Sequence, residues 1–180
     1  MNDRKILTVN IELRRCIPAD ASALALIGQC TFLETFAGVL GGADIIAHCM
    51  KAHSVERYRE WLDDPVYQLW LAEVPGAAPV GFMLMAPPDL PLPDISDADI
   101  EIKRIYLLSK FQRGGVGQRF IAEAVSHAAE RQASRLLLGV YANNLAAIAF
   151  YQRSGFGKVG TRQFNVGGNL YDDIIMGRLL

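Results

Sequence analysis

The stretch Gln112-Arg113-Gly114-Gly115-Val116-Gly117 joins a segment that reads as a strand to one that reads as an amphipathic helix. This junction constrains the chain more than any other. Upstream, Asp99 to Leu107 carries apolar Ile100, Ile102, Ile105 and Leu107 and predicts a strand. Downstream, Gly117 to Gln132 places Phe120, Ile121, Ala124, Val125 and Ala128 on one helical stripe. The first amides of a helix lack intrahelical acceptors and carry partial positive charge. Glycines let backbone approach an anion and adopt positive φ. The junction therefore predicts a phosphate site, to which Arg113 and Arg119 can add charge, against the alternative of a purely structural turn. A Walker A loop is excluded, because Gly117-Gln118-Arg119 lacks the lysine and hydroxyl that it requires. A dinucleotide-binding turn belongs in the first strand–helix unit with another glycine spacing.

The remaining segments build a mixed α/β or α+β domain. Asn10 to Cys16 predicts a short strand, and Pro18-Ala19-Asp20 starts a helix that runs toward Phe36. Ala43 to Leu62 reads as a second helical region that can fall into two pieces. Gln68 to Val74 and Val80 to Met85 read as a hairpin, and Pro87 to Asp97 as a surface loop. Leu136 to Val140 is a continuous apolar run, as for a strand buried on both faces. Asn144 to Arg153 reads as a helix closed by Gly155. Phe156 to Val166 and Tyr171 to Leu180 read as two last strands around Gly167-Gly168-Asn169.

Composition narrows the partners. At 180 residues the chain suits one domain over residues 1–180. A net charge of −1 gives no reason to expect nucleic acid or an anionic membrane as partner. No run of about 18 apolar residues predicts a membrane span, and Met1 to Leu7 has no apolar leader core. Cys16, Cys30 and Cys49 form no CxxC and read as reduced thiols, in keeping with a cytoplasmic location. His48 and His53 lack the spacing of a metal pair and read as helix-surface residues, as does His127 opposite its helix's apolar stripe, so no metal is expected. Trp61 and Trp70 read as core.

A second motif fixes which phosphate is meant. Asn143-Asn144-Leu145-Ala146-Ala147-Ile148-Ala149-Phe150-Tyr151 is followed by Ser154-Gly155-Phe156. Together with Gln112-x-x-Gly115-x-Gly117, it resembles the paired motifs of the GCN5-related N-acetyltransferase (GNAT) superfamily. The resemblance is clearest from Asp99 to Phe156 and extends through element order to the rest. It implies a mixed sheet of about six to seven strands, splayed between the fourth and fifth, with about four helices. It implies acetyl-CoA as co-substrate and transfer of acetyl to a primary amine by direct attack in a ternary complex.

The resemblance also implies roles. Arg113, Gly114, Gly115, Val116, Gly117 and Gln118 supply pyrophosphate donors, with Gln112 opening the motif. The backbone of Ile105, Tyr106 and Leu107 pairs with the pantetheine arm in strand fashion. Asn144 holds that arm or a water, or caps its helix, or both. Tyr151 matches the general acid for the leaving thiolate; the alternative is a core tyrosine. Glu101 matches a general base, direct or through water, against the alternative of a charged edge face; Asp99 and Asp97 are weaker candidates.

Thr31-Phe32-Leu33-Glu34-Thr35-Phe36, Ile102 to Leu107, Leu138 to Tyr141 and Asp172 to Met176 resemble the branch with bacterial polyamine acetyltransferases of the PaiA type. By that likeness Phe32, Glu34 and Phe36 face the acceptor, with Glu34 meeting a cationic amine or standing as an exposed helix residue. The acceptor is then a small-molecule amine such as a polyamine. Protein N-termini or lysines, and a non-catalytic acyl-CoA-binding domain, are the alternatives. A homodimer is common in the family, and the resemblance allows one.

Overall fold

The computed structural model describes residues 10–166 and 169–180. Met1 to Leu7, and Gly167 and Gly168 of the expected last turn, lie outside them. Strand β1 (Glu12–Arg15) leads through a 3-10 turn at Pro18–Asp20 into α1 (Ala21–Phe36). Helices α2 (Gly42–Ala52) and α3 (Val55–Asp63) precede the hairpin of β2 (Gln68–Val74) and β3 (Ala78–Ala86). Then come β4 (Asp99–Leu107), α4 (Val116–Glu130), β5 (Arg135–Tyr141), α5 (Leu145–Arg153), β6 (Gly157–Val166) and β7 (Asn169–Leu179).

These segments form one seven-stranded sheet in the order β1-β2-β3-β4-β5-β7-β6. Every pair is antiparallel except β4 with β5. The four expected helical regions are present, the second in two pieces. The break falls where the backbone of His53 leaves the helical region and Ser54 accepts the Arg57 amide at 3.1 Å, starting α3.

The sheet buries both faces. On one, Trp70, Met83, Met85, Ile102, Leu136, Leu138 and Met176 pack with Phe120, Ile121 and Ala124 of α4. On the other, Leu69, Leu71, Phe82 and Leu84 pack with Leu24 and Ile27 of α1 and Tyr58 of α3. Fully burying a side chain such as Phe120 or Leu24 contributes about 1.5–3 kcal/mol.

Strand β4 departs from simple alternation. Ile100 and Ile102 face the α4 side, and so do Ile105 and Leu107. Even positions give way to odd ones because the β3–β4 register shifts, with Leu84 opposite Arg104 but Met85 opposite Ile102. Lys103 is the extra residue of this bulge. The parallel ladder to β5 ends at the same place. It runs from Asp99↔Arg135 to Ile102↔Leu138, although β4 continues to Leu107 and β5 to Tyr141. The sheet is thus splayed between its fourth and fifth strands, as the resemblance implied.

Three histidines read as surface residues need correction. His53 is 0% exposed, with Nδ1 2.9 Å from the Tyr58 hydroxyl. His48 is half-buried and stacks on Phe32 at 4.2 Å between ring centroids. His127 is 8% exposed, 2.9 Å from the Arg15 guanidinium and edge-on to Trp70. Strands β1 and β2 reach past the end of α4 and cover it, which the stripe on α4 alone could not disclose.

Candidate active site

The glycine turn opens α4 as expected. Gly115 is its N-cap at φ 82°, and no side chain caps it. Arg113 is left-handed too, at φ 65°. The Arg119 amide is the first to bond back into the helix, to the Gly115 carbonyl at 3.1 Å, so the preceding amides face outward. That is the donor set a pyrophosphate needs.

The side chains around it divide the work differently from the sequence reading. Gln112 Nε2 donates to the Leu107 carbonyl at 3.0 Å and ties the turn to the end of β4. Gln118 donates to the Ser154 hydroxyl at the C-terminal end of α5. Arg119 donates to the Ile11 carbonyl at 2.7 Å. Gly117 is a close-approach glycine: a Cβ there would stand 3.1 Å from the Phe150 ring, so α4 can meet α5.

Beyond Ile102, one edge of β4 stays bonded to β3, through Ile105↔Met83, Tyr106↔Phe82 and Leu107↔Gly81. Its other edge has left β5. Among these three residues, the backbone groups that point away from β3 are open to strand-like pairing with an extended ligand, apart from the Leu107 carbonyl that Gln112 already holds. Asn144 caps α5, its Oδ1 accepting the Ala147 amide at 3.1 Å. Tyr151 packs between Phe150 and Phe156, and its hydroxyl has no hydrogen-bond partner among the described residues. Burial, with a smaller contribution from Tyr106, raises its pKa above the usual phenol value. The phenol stays protonated at neutral pH and can donate.

A cavity of about 490 Å³ opens beside the splay, against the sheet face opposite α4. The bulge at Lys103 presents four β4 side chains to it, Glu101, Lys103, Arg104 and Tyr106. Phe32 and Phe36 of α1 line it, as expected; Glu34 does not. The Glu34 carboxylate instead accepts the Ser109 amide at 2.8 Å and its hydroxyl at 2.7 Å, pinning the segment after β4 to α1. Trp61, read as core, lines the cavity and stacks under Arg104.

Glu101 is 2% exposed. Its Oε2 lies 2.6 Å from Lys103 Nζ and accepts the Asp89 amide at 3.1 Å. Burial outweighs these partners and holds its carboxyl above the usual carboxylate range. It is the buried base candidate of this cavity. Asp99 is not equivalent. Arg135 grips it through two nitrogens at 3.0 and 2.8 Å and holds its pKa below the usual value, against the effect of burial. Asp97 is exposed and does not line this cavity. Among the described residues, no cluster of three or more metal-ligating side chains occurs. No helix among them is long and apolar enough to cross a membrane.

Sequence reasoning missed Lys103, Arg104, Arg162 and Asp173 as cavity residues. For the first two a signal existed: the apolar positions of β4 change parity between Ile102 and Ile105. For the last two none did, since β6 and β7 reach the cavity only through sheet order.

The arrangement has counterparts among known proteins. Residues 43–156 match the family model described as the acetyltransferase (GNAT) family. An uncharacterized N-acetyltransferase of Mycobacterium bovis is 29% identical over 161 residues, covering 89% of this chain and 98% of that relative. The spermine/spermidine N(1)-acetyltransferase of Bacillus subtilis is 30% identical over 73 residues, 40% of this chain and 48% of that relative. The PaiA N-acetyltransferase of Thermoplasma acidophilum, solved with coenzyme A, shares the fold with a TM-score of 0.78 at 19% identity, covering 95% of this chain and 99% of that one. The ribosomal-protein-alanine N-acetyltransferase of Brucella melitensis superposes with a TM-score of 0.72 at 25% identity, covering 94% and 99%. A family match across most of the chain, on a sheet splayed where a coenzyme arm would enter, means that this chain belongs to the acetyltransferase (GNAT) family and is an acetyl-CoA-dependent N-acyltransferase.

Proposed function

We propose that the chain moves the acetyl group of acetyl-CoA to the primary amine of a small molecule held in the cavity beside β4. The observation that carries this is the coincidence of three features at Ile102–Lys103: the end of the β4–β5 ladder, the bulge, and a cavity with buried Glu101 in its wall. Acetyl-CoA supplies the activated acyl group. The outward amides from Arg113 to Gln118 hold its pyrophosphate, and the free edge of Ile105, Tyr106 and Leu107 aligns its arm, with Asn144 beside it. Glu101 takes the proton from the acceptor ammonium, directly or through a water, so that a neutral amine attacks. Tyr151 gives a proton to the departing sulfur.

Phe32 and Phe36 form the apolar wall against which the acceptor lies. Glu34 acts on it only by positioning the segment at Ser109. The walled cavity favours a small molecule over a protein terminus or lysine, which needs an open groove. Buried Glu101 and the donor-ready Tyr151 favour catalysis over coenzyme binding alone. The polyamine reading draws on the likeness to the Bacillus subtilis relative, which spans 73 residues. Cavity charge speaks against it, because Glu101 and Asp89 share Lys103 and Asp173 is paired with Arg162. A single domain over residues 1–180, a cytoplasmic location and a homodimer belong to the same proposal by family analogy.

The test is release of free thiol from acetyl-CoA in the presence of a panel of polyamines, amino acids, aminoglycosides and N-terminal peptides. Turnover of at least one small amine is expected, together with a rise in melting temperature on adding acetyl-CoA, equivalent to about 2.7 kcal/mol at 100 times Kd. No thermal shift at saturating coenzyme would overturn the coenzyme site. A preference for peptides would overturn the small-molecule acceptor.

A further inference from the structure

We infer that the acceptor carries a carboxylate beside its amine, and that Arg162 is the residue that receives it. The inference rests on the acetyl-transfer reading above and narrows its substrate class.

Arg162 lies on β6, directly opposite Asp173 of β7. Its Nε donates to Asp173 Oδ2 at 3.1 Å, with the two side chains 21% and 10% exposed. This single bond fixes the guanidinium but uses only one edge of it. Among the described residues, Nη1 and Nη2 have no hydrogen-bond partner, although the side chain lines the cavity. A half-buried guanidinium fork with two unengaged nitrogens is matched by the two oxygens of a carboxylate.

Its seat places that fork at the reaction centre. A Cβ on Gly139 would lie 2.6 Å from Arg162 Nη2, so the guanidinium rests directly on the β5 backbone. Gly139 is the residue after Leu138, where the ladder to β4 ends. The fork therefore stands at the mouth of the splay, where the thioester enters under the reading above. Phe164 supports it from below, its ring centroid 5.4 Å from the guanidinium carbon.

The rest of the cavity charge agrees. Lys103 lies 2.6 Å from both Glu101 and Asp89 and offsets those carboxylates. Arg104 adds a further cation over Trp61 at 4.7 Å. A polyamine would bring several ammonium groups to carboxylates already paired. An amine bearing a carboxylate would bring its ammonium to Glu101 and its anion to the open fork.

The experiment measures kcat/KM for matched acceptors that differ only in the carboxylate: phenylalanine and phenethylamine, tyrosine and tyramine, ornithine and putrescine, 4-aminobutyrate and propylamine. For the best pair, the carboxylated member is expected to be favoured at least 10-fold. Arg162→Gln should lower kcat/KM for that member at least 10-fold more than for its amine, mainly through KM. Gly139→Ala, which displaces the guanidinium but keeps the charge and the Asp173 partner, should erode the same preference. Preference for the amines, or equal loss on both members in the variants, would overturn the carboxylate clamp while leaving acetyl transfer intact. Turnover of no member by protein that binds acetyl-CoA would overturn the acetyl-transfer reading and this inference with it.

Discussion

Lys103 places its ammonium 2.6 Å from the Glu101 carboxylate, two residues away along β4 and on the same side by ordinary alternation, and the bulge adds Arg104 and Tyr106 to that side. Glu101 sits above the usual carboxylate range because burial pushes it up further than Lys103 pulls it down. Removing the ammonium leaves burial opposed only by the Asp89 amide. In Lys103→Met the acid limb of the kcat/KM profile should therefore move to higher pH, since a base works only once deprotonated. Glu101→Gln should lower turnover about 10²–10⁴-fold and abolish the limb. A limb that stays in place in the Lys103 variant would assign it to a different group.

Tyr151→Phe should separate chemistry from binding. The phenol has no partner within the described protein and burial keeps it protonated at neutral pH, so it can donate to a leaving thiolate, although as a weaker acid than a free phenol. We expect kcat to fall about 10²-fold or more, the lower range for a lost general acid. Coenzyme affinity, measured by calorimetry, should change only a few-fold. Unchanged turnover would return Tyr151 to a packing role.

The two motif glycines should fail for different reasons. Gly117→Ala puts a Cβ 3.1 Å from the Phe150 ring and should destabilise by about 1–3 kcal/mol through overpacking. Gly115→Ala meets open space but must hold φ 82°, at about 1–2 kcal/mol. Phe150→Leu should relieve the first substitution and not the second. Urea midpoints of the single and double variants test this, and relief of both would contradict the division.

His53 gives stability a dependence on pH. Burial, with smaller effects from Arg104 and His48, lowers its pKa from 6.5 to about 2. Between those values the unfolded chain binds a proton that the folded one refuses, so stability falls as pH drops below 6.5 and continues to fall toward 2. The slope from this residue is on the order of 1.4 kcal/mol per pH unit. His53→Gln should flatten the decline of the urea midpoint between pH 7 and 5. An unaltered slope would place the titration elsewhere, with His48, whose pKa is lowered to about 4, the next to examine.

Local pattern disclosed most of the fold. Asp99 to Leu107 and Gln68 to Val74 stand in the structure with the bounds expected from their apolar residues and flanking turns. Glycine and asparagine marked both ends of α5, through the Asn144 cap and Gly155 at φ 87°. What escaped depends on partners far along the chain. Glu34 meets Ser109, 75 residues away, and so is drawn out of the acceptor site. His127 meets Arg15 from 112 residues away and is buried by it. Motif residues Gln112 and Asn144 were legible as positions, but their side-chain partners, a strand-end carbonyl and a helix amide, were set by geometry. Arg162 reaches the cavity because β7 lies between β5 and β6 in the sheet, an order that no stretch of sequence spells out.

The bulge at Lys103 makes the two sides of β4 depend on one unpaired residue. Were the strand to run from Ile102 to Leu107 at full length with unbroken alternation, everything after Lys103 would change sides. Arg104 and Tyr106 would turn toward Phe120, and Ile105 and Leu107 would turn into the acceptor chamber. A conservative exchange at any of these positions alters one contact. Losing the codon for Lys103 would remove the extra residue and leave the sides in place. Losing the kink and keeping the residue would exchange the oily side of the strand for its working side.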